Sequence, residues 1–248
     1  MYTLFYKELL RFSKVMLQTV MAPVVTALLY LLVFSHVLES HINVYDNVTY
    51  TAFLIPGLII MSILQNAFSN SSSSLIQSKM TGNIIFVLLT PLSYLEFYLA
   101  FMLASIVRGL AVGLGIYLVA IFFIDLPLHS VGWLLLFGLA GSAVLGSAGI
   151  ITGVWAEKYD HIASIQNFIV VPLSFLSGVF YSIHSLPEFW QQLSRFNPFF
   201  YMIDGFRYGF FGVADVSPVI SLLIVLAAWL ALACATLIML KSGYKLRD

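Results

Sequence analysis

The sequence predicts an all-α membrane protein: six transmembrane helices, an amphipathic N-terminal helix, and a helical segment at the outer membrane surface. Three observations carry this prediction. Of 248 residues 61% are hydrophobic and only 9% are charged, where a soluble domain has about a quarter charged. Six apolar stretches each approach the ~20 residues that a bilayer requires. A strongly aromatic stretch, residues 172–212, is broken by prolines. It is too aromatic for a solvated loop and too interrupted to span, so it suits the membrane interface, with a purely structural loop as the alternative.

The elements follow in chain order. Tyr2–Met16 sets Phe5, Leu9, Phe12 and Met16 against Lys7, Arg11 and Lys14. That pattern fits a helix lying on the cytoplasmic leaflet with its basic face toward anionic headgroups, or a solvated positive flank of the first span. A charged amphipathic opening also predicts no cleavable signal peptide. The spans are expected near Thr19–Val37, Ala52–Phe68, Phe97–Ile124, Gly132–Val154, Ile165–Tyr181 and Val219–Leu240. The third is longer than the bilayer needs, which predicts a tilt or an interfacial start. Glycines spaced GxxxG (Gly109 and Gly113, Gly149 and Gly153) allow close helix approach, within one subunit or between two. Beyond the fifth span, Leu186, Phe189, Trp190 and Leu193 share one helical face after a possible capping box at Ser185–Glu188. Asn197 and Pro198 then form an N-cap and first-turn pair for a second short helix carrying Phe199, Phe200, Ile203 and Phe206.

Lysine and arginine placement predicts orientation. With the N-terminus inside, the cytoplasmic segments hold Lys7, Arg11, Lys14, Lys79, Lys158, Lys241, Lys245 and Arg247, and the outer side only Arg195 and Arg207. Both termini are therefore expected in the cytoplasm. Residues 38–51, 125–131 and 182–218 then face outward. The outer loops collect Glu39, Asp46, Asp125, Glu188, Asp204 and Asp215, with His36, His41, His129 and His184 in no metal-ligand spacing, so no metal site is expected. Zero net charge leaves no footprint for nucleic acid. The single cysteine, Cys234, lies in an apolar run and is expected to pack.

Catalytic templates are missing. No GxxxxGK[ST], HExxH or GxSxG occurs, so no catalytic residue is assigned. Ser71–Ser74 is expected to be a polar boundary rather than a nucleophile. Spans two to six lack the carboxylates of a proton relay, so energy for any transport is expected from another chain. Arg108 is the one basic residue well inside a span, about 15 Å from its cytoplasmic end at ~1.5 Å per residue. It is either a substrate contact, or a structural or snorkelling side chain. Residues 76–96 predict a short helix from Gly82 or Asn83 to Leu89, followed by a turn at Thr90-Pro91. That helix is a place for a soluble motor to press, or an amphipathic connector.

Three motifs resemble those of ABC-2 type exporter permeases, of the YadH-like and nodulation-protein-J-like kind: FLIPGLIIMSILQNAFSNSSSSL, KMTGNIIFVLLTPLSYLEFY and FLSGVFYSIHSLPEFWQQLSRFNPFFYMIDGFRYGFFG. The likeness covers essentially the whole chain, and implies a single ABC-2 transmembrane domain over residues 1–248. It implies a half-transporter that homodimerises in a bacterial inner membrane and recruits two copies of a separate ABC ATPase, which binds the ATP and magnesium. This chain would then hold no cofactor, and would move a drug, lipid or glycolipid outward. By the same resemblance, residues 1–17 form an interface helix with Lys7 and Arg11 near the ATPase. Residues 76–92 form the coupling loop, with Lys79, Thr81, Gly82, Asn83, Ile84, Thr90 and Pro91 at the contact. Residues 182–212 form a re-entrant outer hairpin. Pro172, Phe175, Gly178, Phe180 and Tyr181 would line the pathway and dimer interface. Qualifying the loop motif, only Lys79 remains of the charged residues that often precede the family's coupling helix. The residues themselves also leave open a non-transporting scaffold.

Overall fold

A computed structural model describes residues 1–38 and 48–245. The expectations for Glu39, His41, Asp46 and Arg247 lie outside the described residues. The described chain is helical throughout: α1 Tyr2–Lys14, α2 Met16–Leu38, α3 Tyr50–Met80, α4 Ile84–Leu88, α5 Tyr94–Ala120, α6 Val131–Trp155, α7 Tyr159–Ile165, a π-helical turn Gln166–Val170, α8 Val171–Phe175, a 3-10 turn Ile183–Ser185, α9 Glu188–Arg195, α10 Pro198–Phe211 and α11 Pro218–Ser242. Among the described residues five helices, α2, α3, α5, α6 and α11, are long and apolar enough to cross a membrane. The stretch read as a fifth span is one continuous helical run of seven, five and five residues, Tyr159–Phe175, whose pitch loosens to a π-helical turn at Gln166–Val170.

The bundle is organised around α3, which packs chiefly against α6 and α5. Its 31 residues extend ~46 Å at ~1.5 Å per residue, well past the ~30 Å hydrocarbon core. The helix therefore continues beyond the span expected to end at Phe68. Its extension carries the serine run, and this is where the polar-boundary reading needs correction. Ser71, Ser72 and Ser74 are at most 1% exposed and pack between helices. Ser71 and Ser105 share a short hydroxyl contact of 2.5 Å, and Asn70 donates to Ser105 at 3.3 Å. Small residues are needed here because lipid offers helices no hydrophobic drive to associate, so backbones must approach closely. Both GxxxG pairs face α3 of the same chain. A Cβ on Gly149 would lie 2.4 Å from the Phe68 carbonyl oxygen, and one on Gly113 would meet the Ile63 side chain.

Local signals explain the boundaries. Ser93 and Glu96 form a reciprocal capping box at the start of α5. Asn197 caps α10, with Pro198 in its first turn, as the sequence predicts. The capping box expected at Ser185–Glu188 does not form. Pro187 occupies the N-cap of α9, and the Ser185 hydroxyl donates instead to the Ser182 carbonyl at 2.7 Å.

Candidate functional site

Two regions at opposite ends of the bundle gather the polar and aromatic residues. At the first end, α1 lies against the start of α5. It buries Leu4, Glu8 and Phe12, an i, i+4 stripe. Glu8 is fully buried and escaped the sequence reading, although its place between Leu4 and Phe12 signals it. Arg11 Nε donates to Glu8 at 3.2 Å, while Arg11 Nη2 reaches the Asn70 carbonyl at 2.8 Å and its side-chain oxygen at 3.0 Å. Arg11 therefore ties α1 to α3, whereas Lys7 stays exposed 3.6 Å from Glu8.

The short helix α4 appears where the loop pattern predicts it, with Asn83 as N-cap residue and no side-chain cap bond. Gly82 has φ +73°, a left-handed conformation that lets the chain turn out of α3. Ile84, 7% exposed, anchors α4 in the same apolar cluster as Leu4 and Phe97. Phe86 and Leu89, at 71% and 76% exposed, project from it. Thr81, Asn83, Thr90 and Pro91 are exposed beside them. Lys79 turns the other way: its ammonium donates to the Val154 and Ala156 carbonyls at 2.8 and 2.7 Å, closing the end of α6. A groove of about 440 Å³ runs between α1 and this loop, and its lining includes Lys7, Arg11, Lys14, Thr81 and Asn83. Five basic and polar residues that the sequence assigned to two separate segments thus meet in one depression. Nearby, Lys245 donates to Glu157 at 2.5 Å and holds its carboxyl below the usual range.

At the other end, residues 176–217 fold into a cap. Arg207, expected in a loop, is 1% exposed on α10. Its guanidinium lies 3.8 Å from the centroid of the Phe53 ring and donates to the Gly178 carbonyl at 2.7 Å. One turn earlier, Asp204 accepts the Asp215 and Val216 backbone N–H groups at 2.8 and 3.0 Å. Burial pushes its carboxyl up to about 6, against these donors. Asp215 in turn accepts the Ser182 hydroxyl and the Ile183 N–H, each at 3.0 Å. Of the residues assigned to a pathway, Phe175 stacks on Phe180 at 5.3 Å, and Phe180 meets Tyr30 of α2 edge-on at 5.6 Å. Tyr181 donates to the Phe175 carbonyl at 3.3 Å. Gly178 takes φ +75°, and Pro172 sits exposed in the first turn of α8. Phe175, Phe180 and Tyr181 thus link the end of α8 to Tyr30 of α2. Phe189, Trp190 and Phe196 point away from the cap, 69%, 44% and 85% exposed.

Arg108 lies on α5 between the two ends, half-buried, with Nη2 3.3 Å from the Asn66 side-chain oxygen.

Sequence comparisons agree with this architecture. The ABC-2 type transporter family profile matches residues 1–211. The chain is 36% identical over 241 residues to the inner membrane transport permease YadH of Escherichia coli strain K12, covering 96% of this chain and 94% of that protein. It is 27% identical over 208 residues to nodulation protein J of Rhizobium leguminosarum bv. viciae, covering 81% and 78%. The chain belongs to the ABC-2 type transporter family, as a membrane transport subunit of an ABC transporter.

Proposed function

We propose that this protein is the permease of an ATP-driven exporter in a bacterial inner membrane, moving a hydrophobic or amphipathic molecule outward. In this reading it works as a homodimer with two copies of a separate ATPase, both termini in the cytoplasm. The observation that carries the proposal is the groove between α1 and the loop that leads into α4, which joins Lys7, Arg11, Lys14, Thr81 and Asn83, with the exposed Phe86 and Leu89 following in the same loop. Apolar tips beside a basic depression suit a protein partner: aromatic anchors enter pockets, and charges at the rim fix register. ATP-driven movement of α4 would reach α3 directly through Met80–Gly82, and α5 through the capped turn at Ser93. Residues 176–217 would then form the outer cap, with Phe189 and Trp190 seated at the lipid interface.

The test is reconstitution. The purified chain alone should hydrolyse no ATP. With its ATPase in sealed vesicles it should accumulate a fluorescent phospholipid or amphipathic dye on one side in an ATP-dependent manner. ATP hydrolysis by the chain alone, or no vectorial movement with an active bound ATPase, would contradict the proposal.

A further inference from the structure

A second cavity, about 480 Å³, opens between α2, α3, α5 and the π-helical turn. That volume lies within the range of small-ligand sites, about 300–1,000 Å³. Its polar lining comes from every element around it: Gln18 from α2, Gln65 and Asn66 from α3, Arg108 from α5, Gln166 from the π-helical turn and Arg11 from α1. Among the described residues no carboxylate lines it. The two cations are not equivalent. Arg11 has Glu8 at 3.2 Å, whereas Arg108 has only the neutral Asn66, at 3.3 Å, and its Nε is buried without a hydrogen-bond partner. Arg108 stands about 20 Å along α5 from Tyr94 at ~1.5 Å per residue. At that depth in an apolar helix a charge needs a partner or a wet cavity. A guanidinium is a planar fork that pairs two N–H groups with two oxygens of a phosphate or carboxylate. The side-chain amides of Gln65, Asn66 and Gln166 add neutral donors. The Ser69 hydroxyl donates to the Gln166 oxygen at 3.3 Å, leaving the Gln166 amide nitrogen for a ligand. The pitch change at Gln166–Val170 is the kind of helix irregularity that often marks functional sites.

We infer that this cavity binds a phosphate group, with Arg108 as its principal ligand and the amides of Asn66, Gln65 and Gln166 around it. The phosphate supplies the negative charge that the described lining does not. It comes either from the headgroup of an anionic membrane amphiphile or from the aqueous phase. Binding requires neither ATP nor a partner, so the inference stands or falls separately from the exporter proposal.

The experiment uses the purified full chain in nanodiscs of phosphatidylcholine alone or mixed with phosphatidylglycerol. Retained lipid is read by native mass spectrometry, with and without inorganic phosphate as competitor. Phosphatidylcholine carries the same phosphate but neutralises it with its own ammonium, so it is the internal control. The wild-type chain should retain phosphatidylglycerol preferentially. Arg108→Gln should weaken that retention by about tenfold or more, as expected for loss of a charge-assisted hydrogen bond. Asn66→Asp gives Arg108 an internal carboxylate; it should fold as the wild type does and lose the preference equally. Displacement by inorganic phosphate identifies a site open to the aqueous phase, and retention against it identifies a membrane-borne ligand; either supports the inference. A chain with no preference for phosphatidylglycerol and no phosphate binding would overturn it. A preference that survives both substitutions would do the same.

Discussion

Arg207 ties α10 both to the turn at Gly178 and to the Phe53 ring, and replacing it by methionine should cost about 3 kcal/mol of stability. The estimate is built from the structure. The charge-assisted hydrogen bond to the Gly178 carbonyl, 2.7 Å, contributes about 1.5–3 kcal/mol. The approach to the Phe53 ring, 3.8 Å, adds up to about 2 kcal/mol for a desolvated pair. Opposing these is the cost of burying a cation whose Nε has no partner, which methionine removes. The net falls in the range typical of breaking a buried polar network. Arg207→Lys keeps the charge but not the fork, and should fall between the two. The assay is thermal unfolding in detergent, with limited proteolysis of residues 178–197 reporting local opening. Loosening should appear there first, because Arg207 joins α10 to the turn at Gly178. If Arg207→Met stays within about 0.5 kcal/mol of the wild type, the range of surface substitutions, the cap is not held as described.

Other consequences follow from contacts elsewhere. Gly149→Ala places a Cβ 2.4 Å from the Phe68 carbonyl oxygen, and should destabilise by about 1–3 kcal/mol through overpacking, despite a gain of about 1 kcal/mol in helix propensity. Gly82→Ala meets nothing within 4 Å, so in the same thermal assay it should lose only the left-handed backbone cost of about 1 kcal/mol. The Asp204 carboxyl is raised from 3.8 to about 6, so the folded cap takes up a proton that the unfolded chain does not. Stability should therefore rise as pH falls from about 6 toward 4, and proteolysis across that range should show a flatter profile in Asp204→Asn. Phe86→Ser should weaken ATPase co-purification without lowering the melting temperature, whereas Ile84→Ser, which removes the buried anchor, should lower both.

Much of this architecture is legible in the sequence where the governing interaction is local. Asn197-Pro198 and the helix inside residues 76–96 are set by neighbours within one turn, and both appear where the pattern places them. The apolar runs locate five long helices because length and composition decide membrane crossing. What failed was what depends on a second element. Glu8 reads as part of a charged surface until α1 is laid on α5 and α3. The serines 71–74 read as a boundary until Ser105 and Gly146 are brought opposite them. Arg207 counts toward an outer loop until Phe53 and Gly178 surround it. The pitch change at Gln166 leaves no mark in composition, so an apolar run read as one span conceals a π-helical turn. Ser93 and Glu96 are the opposite case: their S-x-x-E spacing is local and forms the capping box, whereas Ser185–Glu188 has the same spacing and does not. Pro187, which takes the N-cap position of α9, is the local signal that separates the two.

The central claim is that the α1–α4 end receives the ATPase. Cys234 is the only cysteine, so Cys234→Ser provides a background for single-cysteine cross-linking. In membranes containing the partner ATPase, Phe86→Cys on that background should cross-link to the ATPase. Phe196→Cys, at the cap and 85% exposed in the native residue, should not. A cross-link from Phe196→Cys with none from Phe86→Cys would place the motor at the opposite end and contradict the account.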